Sequence, residues 1–203
     1  MTGTESEVDT VPPRSRVAIW VVVPLAVTMG LFLILLATRD PSTTRVTQSR
    51  LIGGVAPAIT GTTIDGSQFD LDNERGRWVV VNFFSTTCVP CQLEHPELVE
   101  FQNAHDPAGD ATIVSVAFDD SSDNVRRFFE RNGGNWPVLA VDTGTYAVSY
   151  GVAQVPESYL IAPSGLVVDK LIGGIKQQDL ESRIAVLEQA AADARASAAN
   201  GGG

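Results

Sequence analysis

Two cysteines three positions apart are the residues of this sequence best suited to chemistry. Cys88 and Cys91 are the only cysteines of the 203-residue chain, and Val89 and Pro90 lie between them. When such a pair opens a helix, the backbone N–H groups and the helix dipole stabilise a thiolate on the first cysteine. That thiolate attacks a disulfide, and the second cysteine then resolves the mixed disulfide. The spacing therefore predicts thiol–disulfide exchange at Cys88 and Cys91.

The segments on either side of the pair are predicted to form a strand and a helix. Residues 78–84, WVVVNFF, are a near-continuous apolar run, as in a strand buried on both faces. Residues 90–105 fit a helix with Leu93, Leu98 and Phe101 as its apolar stripe. The cysteines thus lie at a strand-to-helix junction, where a helix N-terminus faces them.

The rest of the chain predicts an α/β domain with a mixed sheet. Asp65-Gly66 indicates a hairpin within residues 63–72. Further strands are predicted at 111–118, 138–141, 158–162 and 166–172, and helices at 123–132, 145–150 and 177–195. A βαβ alternation followed by a hairpin and a final helix predicts a mixed central sheet flanked by helices.

An apolar segment precedes this domain. Residues 17–37 contain no charged side chain, and a helix of that length covers roughly 30 Å, the thickness of a bilayer core. We expect an uncleaved transmembrane anchor, with a cleaved signal peptide as the alternative, and the flanking charges do not settle its orientation. The predicted organisation is an N-terminal tail (1–16), an anchor (17–38), a linker (39–52), a folded domain (53–195) and a flexible tail (196–203).

Charge and composition exclude several classes of partner. The net charge is −10, and residues 51–203 hold nine basic against twenty acidic side chains. A domain this acidic is a poor partner for phosphate backbones, so we expect no nucleic-acid binding. With two cysteines and two histidines, a structural metal site would need all four residues together. A site built from Cys88, Cys91 and His95, with or without His105, stays an alternative, although no metal and no cofactor are expected.

The residues around the cysteines resemble a known family. Residues 78–97, WVVVNFFSTTCVPCQLEHPE, resemble the thioredoxin-like superfamily and, within it, the membrane-anchored TlpA/ResA/CcmG (DsbE) proteins. Glu94 completes C-x-x-C-x-x-E, residues 151–157 (GVAQVPE) resemble the family's GV-x-x-x-PE stretch, and residues 56–66 resemble its N-terminal hairpin extension. The resemblance implies a thioredoxin-like fold with that extension and one N-terminal transmembrane helix, with the tail at residues 1–16 in the cytoplasm.

The resemblance also implies roles for six residues. Cys88, Cys91, Glu94 and Pro156 would be catalytic, with Pro156 in the cis form beside the cysteines. Val155 would offer its backbone groups to an extended substrate, and Glu157 would bind the substrate or add a negative field. Glu94 would accept a proton or raise thiol pKa values.

Two positions depart from the patterns to which the chain is compared. Thr87 stands where family members commonly have an aromatic residue directly before the first cysteine. Asn82 stands where cytosolic thioredoxins have a buried acid, which leaves Glu94 and Glu157 as the nearby proton acceptors.

The function implied by the resemblance is extracytoplasmic reduction of protein disulfides. The client would be a disulfide protein such as apocytochrome c during cytochrome c maturation, and a membrane electron donor of the CcdA/DsbD type would regenerate the thiols without a soluble cofactor. We expect a single-pass membrane protein that is a monomer. The alternatives are a thiol oxidant of secreted proteins, a copper-binding Sco-like assembly protein, and a thiol peroxidase suggested by residues 85–88 (STTC).

Overall fold

The N-terminal helix covers the apolar segment that the sequence predicts as an anchor. The structure, a computed structural model, describes residues 16–37, 45–46 and 49–200. The chain divides between residues 41 and 42 into two units, and helix α1 (Arg16–Ala37) belongs to the first. Within the described ranges, none of the helices combines the length and apolar character needed to cross a membrane. The anchor and the location of the domain stay predictions, and residues 1–15 of the expected tail lie outside the described residues.

The second unit is built on a mixed sheet, as the sequence predicts. Its order is β1-β8-β7-β4-β5-β6, with β4, β5 and β6 parallel and the pairs β4/β7, β7/β8 and β8/β1 antiparallel. Strands β2 and β3 form a separate antiparallel hairpin. The strands are β1 (Arg45–Val46), β2 (Thr60–Thr62), β3 (Gln68–Asp70), β4 (Trp78–Phe84), β5 (Ala111–Ala117), β6 (Val138–Leu139), β7 (Glu157–Ile161) and β8 (Val167–Ile172).

Helices cover both faces of this sheet, and the alternation of side chains along β4 separates two cores. On one face, Trp78, Val80 and Phe84 pack with α2, α3 and α5. On the other face, Val79, Val81 and Phe83 pack with α4 and the β2–β3 hairpin. The helices are α2 (Val89–His105), α3 (Ser122–Asn132), α4 (Gly144–Tyr150) and α5 (Gln177–Asn200). Asn82 therefore faces α2, which carries the cysteines.

Three details differ from the sequence-based expectations. Arg45–Val46, within the predicted linker, pairs with β8 as an edge strand. Residues 196–200, predicted as a flexible tail, continue α5, while 201–203 lie outside the described residues.

The prediction that Leu93 lies in the apolar stripe of α2 is wrong, because its side chain is 73% exposed whereas Leu98 and Phe101 are buried. Glu94 and His95 occupy the buried face instead, so hydropathy alone misjudged this turn of the helix.

Candidate functional site

The two cysteines lie where the chain turns from β4 into α2. Cys88 is the N-cap residue of α2, and the backbone N–H of Cys91 points to its Sγ at 3.4 Å. Pro90 lies in the first helical turn, where a missing N–H leaves no hydrogen bond unmade. The two sulfurs form a disulfide. The helix N-terminus therefore offers a donor to the sulfur of Cys88, as the spacing predicts.

The two sulfurs have different environments. Cys88 is partly exposed. Cys91, on the buried face of α2, is only 4% exposed and packs in the core between this helix and the sheet. In the reduced protein, burial raises the pKa of the Cys91 thiol, and the charges of its neighbours, Glu94 among them, raise it further. A client disulfide can therefore reach Cys88, while Cys91 is shielded and needs a base to ionise.

The loop before β7 meets the cysteines from the opposite side. The Val155–Pro156 peptide is cis, as the resemblance implies. The antiparallel pairing of β7 with β4 places Glu157 opposite Phe83, so the preceding residues extend past the end of β4. As a result, the carbonyl oxygen of Val155 lies 3.5 Å from Sγ of Cys88. The structure thus brings Val155, Pro156 and Cys88 together.

Glu94 is buried behind the cysteines on α2. It is 3% exposed, and its Oε1 accepts a hydrogen bond from Nδ2 of Asn82 at 2.6 Å. Its Oε2 accepts one from the backbone N–H of Ile175 at 3.1 Å. Burial raises the pKa of Glu94 to about 8, although both hydrogen bonds oppose the shift. A carboxyl with such a pKa can exchange a proton near neutral pH.

The raised pKa of Glu94 predicts that the free energy of unfolding depends on pH. Because the folded-state pKa of Glu94 is raised, ionising its carboxyl costs folding free energy. The cost is absent at acidic pH, grows as pH rises through the unfolded-state pKa and is complete above about pH 8. Glu94→Gln, which cannot ionise, is expected to gain stability relative to the parent chain over that window, by a few kcal/mol at its alkaline end. Denaturant unfolding at a series of pH values measures the gain.

The matched control for this prediction is Glu100→Gln, which neutralises an exposed acid on the same helix. Its stability difference from the parent chain is expected to change little with pH. A difference for Glu94→Gln that is equally insensitive to pH would show that Glu94 does not titrate in this range.

Glu157 is held in a buried ion pair rather than on the surface. Its side chain is 1% exposed, and its Oε2 lies 2.8 Å from Nζ of Lys170, whose side chain is 8% exposed. Its Oε1 accepts a hydrogen bond from the N–H of Ala153 at 3.4 Å. Nζ of Lys170 also donates to the carbonyl oxygen of Gly151 at 3.4 Å and lies 5.0 Å from the ring centre of Tyr159. Glu157 and Lys170 thus hold the segment before β7 through hydrogen bonds to Ala153 and Gly151. The role of Glu157 towards substrate stays a prediction.

The electrostatics of this pair favour charged Lys170. Burial lowers the pKa of Lys170, but its hydrogen bonds with Glu157 and Tyr159 outweigh burial and raise that pKa above its ordinary value. Lys170 therefore stays charged at physiological pH and keeps its contacts with Glu157 and with the carbonyl oxygen of Gly151.

The alternative metal site receives no support from His95. Its Nε2 lies 2.9 Å from the carbonyl oxygen of Gly133, and its ring packs against Phe128, Phe129 and Trp136. Burial lowers the pKa of His95. Across residues 16–37, 45–46 and 49–200, no three histidine, cysteine or acidic side chains are grouped as a metal ion would require. His95 acts as a core residue here.

Comparison with known proteins now identifies the family. The sequence profile described as "AhpC/TSA family" matches residues 52–170, more than half of the chain. The chain belongs to this family. It is 33% identical over 131 residues to the thiol–disulfide oxidoreductase ResA of Bacillus thuringiensis strain Al Hakam, covering 64% of this chain and 75% of ResA. This AhpC/TSA protein is thus a thiol–disulfide oxidoreductase with a Cys88–Cys91 redox pair.

Two further relatives agree with this assignment. The thiol:disulfide interchange protein CycY of Rhizobium leguminosarum bv. viciae is 37% identical over 100 residues, which span 49% of this chain and 52% of CycY. A crystal structure of a thiol:disulfide interchange protein from Chlorobium tepidum TLS has a TM-score of 0.60 and 27% identity, covering 67% of this chain and 95% of the other. The thioredoxin-like fold and the TlpA/ResA/CcmG resemblance are confirmed for this AhpC/TSA protein.

Several residues that build the site had no clear signal in the sequence. Lys170 lies in a strand in which four of six residues are buried, three of them in succession, so no alternation marks it as a partner of Glu157. Asp120, which binds the segment before Cys88, follows β5 and is 32 positions from Cys88 in the sequence. Asn82 could be noticed as a polar residue inside an apolar strand, but only the sheet geometry shows that it contacts Glu94.

Proposed function

We propose that this oxidoreductase works as a reductant of disulfides in client proteins outside the cytoplasm. The observation that carries the proposal is the asymmetric pair: Cys88 is partly exposed beside the Val155 carbonyl, and Cys91 is buried next to acidic Glu94. A disulfide couple is strongly oxidising when its reduced form is stabilised as a thiolate. Burial of Cys91 acts in the opposite direction, because it raises the pKa of that thiol, and an ionised Glu94 raises it further.

The unequal exposure of the two cysteines supports the following order of steps. The Cys88 thiolate attacks one sulfur of the client disulfide, and the other client sulfur leaves as a thiolate and takes up a proton. Cys91 then attacks Sγ of Cys88, forms the Cys88–Cys91 disulfide and releases the second client sulfur, which is also protonated. Two electrons pass from the pair to the client. The final state is the disulfide seen in the structure.

Glu94 is proposed as the proton acceptor of the second step. The thiol of Cys91 is buried and its pKa is raised, so its attack requires removal of a proton. Glu94 lies three residues later on α2, in the same buried layer, and has a pKa of about 8. The hydrogen bonds from Asn82 and Ile175 hold its carboxylate in place.

The proposed client is apocytochrome c, with a membrane electron donor of the CcdA/DsbD type restoring the thiols. The similarity to ResA and CycY supports a role in cytochrome c maturation, and the resemblance implies both partners. The proposed location is a membrane, with the domain on its extracytoplasmic side. The uncharged run at residues 17–37 supports a membrane location, and disulfides that need reduction occur in oxidising compartments.

A peptide assay tests the proposal. The reduced full-length chain is mixed with an oxidised C-x-x-C-H peptide, and the products are separated by mass. We expect one peptide disulfide to be reduced per Cys88–Cys91 disulfide formed. An oxidised chain that instead oxidises the reduced peptide to completion would contradict the proposed direction, and Cys88→Ser serves as the inactive control.

A further inference from the structure

A carboxylate from a distant loop holds the segment that precedes Cys88. Oδ2 of Asp120 accepts hydrogen bonds from the N–H of Thr86 at 2.7 Å, from Oγ1 of Thr86 at 2.6 Å and from Oγ of Ser85 at 3.2 Å. Its Oδ1 accepts hydrogen bonds from the N–H of Ser121 at 2.8 Å and from Nδ2 of Asn124 at 3.2 Å. One side chain therefore ties residues 85–86 to the start of α3.

Thr86 is fixed from several directions, two residues before the nucleophile. Besides its two hydrogen bonds to Asp120, its carbonyl oxygen accepts one from Nε2 of Gln92 on α2 at 2.7 Å. The N–H of Cys88 in turn donates to the carbonyl oxygen of Ser85 at 3.2 Å. The position of the Cys88 sulfur relative to the Cys91 N–H thus depends on how firmly residues 85–87 are held.

The charge of Asp120 is maintained by these contacts. Burial acts to raise the pKa of Asp120, but the hydrogen bonds from Thr86 and its other neighbours outweigh burial and keep that pKa below its ordinary value. The side chain is therefore an ionised acceptor at neutral pH, and hydrogen bonds to an ionised acceptor are stronger than those between neutral groups.

We propose that Asp120 is a positioning residue for Cys88: through Thr86 and Ser85 it holds the nucleophile at the N-terminus of α2. Asp120 acts through the loop, so it is not catalytic in itself. The proposal rests on disulfide exchange at Cys88 and is independent of the client and of the direction of electron flow.

The direction in which the titration of the Cys88 thiol shifts when Asp120 is replaced distinguishes a positioning role from an effect of charge alone. If Asp120 acted only through its negative charge, its removal would favour the Cys88 thiolate and move the titration of that sulfur to lower pH. If Asp120 positions the sulfur, its removal loosens the contact with the Cys91 N–H. The thiolate then loses stabilisation, and the titration moves to higher pH.

The experiment follows iodoacetamide alkylation of Cys88 across a pH series. It uses the full chain with Cys91→Ala, so that one thiol remains and no client is needed. We expect Asp120→Asn to shift the pH midpoint upward and to slow alkylation at neutral pH by roughly threefold to tenfold. The control Asp123→Asn removes an equal charge from the first turn of α3, where the side chain is 76% exposed. It is expected to leave the midpoint in place.

Substitutions at Thr86 test the same contact with Asp120 unchanged. Thr86→Val removes the hydroxyl donor and is expected to shift the midpoint upward by less than Asp120→Asn, while Thr86→Ser keeps the donor and is expected to match the parent. These two variants also decide the matter if Asp120→Asn fails to fold. A downward or absent shift in Asp120→Asn, or identical profiles for Thr86→Val and Thr86→Ser, would overturn the proposal. Because no client is present, this failure is distinct from failure of the proposed function.

Discussion

Replacing Cys88 with serine is expected to remove disulfide reduction entirely, whereas replacing Cys91 with serine stalls the reaction half-way. Cys88 is partly exposed at the N-terminus of α2, whereas Cys91 is buried. The first attack on the client disulfide therefore requires the thiol of Cys88. In Cys91→Ser the first attack still occurs, but the resolving sulfur is missing and the mixed disulfide accumulates. Mass spectrometry of the chain after reaction with an oxidised peptide distinguishes the two results.

The two variants serve as controls for each other, since each keeps one cysteine. A peptide adduct on Cys88→Ser, attached through Cys91, would show that the buried sulfur is the nucleophile. The absence of any adduct on Cys91→Ser would exclude the two-step exchange. Either observation would contradict the roles that the burial of Cys91 assigns to the pair.

Replacing Lys170 with methionine is expected to cause a large loss in the free energy of unfolding. Methionine fills a similar volume, but it leaves the carboxylate of Glu157 buried without its ammonium partner. Breaking a buried ion pair by removing one member costs about 3–5 kcal/mol. In a domain of this size that loss lowers Tm by roughly 10 °C. Thermal unfolding followed by circular dichroism measures the effect.

Two further variants show whether the loss comes from the unpaired charge. Lys176→Met removes the chain's other lysine, which is exposed, and is expected to change Tm little. The double variant Lys170→Met/Glu157→Gln removes both charges and is expected to recover much of the stability. A double variant no more stable than Lys170→Met alone would show that the cost lies in packing and not in the orphaned carboxylate.

The parts of the fold that depend on local pattern could be predicted from the sequence. The run WVVVNFF gives β4 with its observed limits, because a strand buried on both faces needs an unbroken apolar segment. The C-x-x-C motif and the residues that follow place Cys88 and Cys91 at the start of α2, since a helix N-terminus is set by local residues. The mixed sheet follows from the order of the elements.

The parts that depend on long-range pairing could not be predicted from the residues alone. Glu94 looks like an ordinary helix acid, and only its packing against β4 and the segment before α5 buries it and raises its pKa. The substrate role of Glu157 stays a prediction, but its ion pair with Lys170 has no local signal, because the two residues come from different strands, β7 and β8. The edge strand at Arg45–Val46 is equally a matter of pairing, because two residues carry no pattern of their own.

The reduction potential of the Cys88–Cys91 couple tests the central claim most directly. The full chain is equilibrated against defined thiol–disulfide buffers, and the fraction of disulfide is measured at each buffer ratio. A potential at or below roughly −220 mV is the predicted result, since it makes the pair a reductant of client disulfides. A potential near about −120 mV would contradict the account, because it would make the same pair an oxidant of secreted thiols.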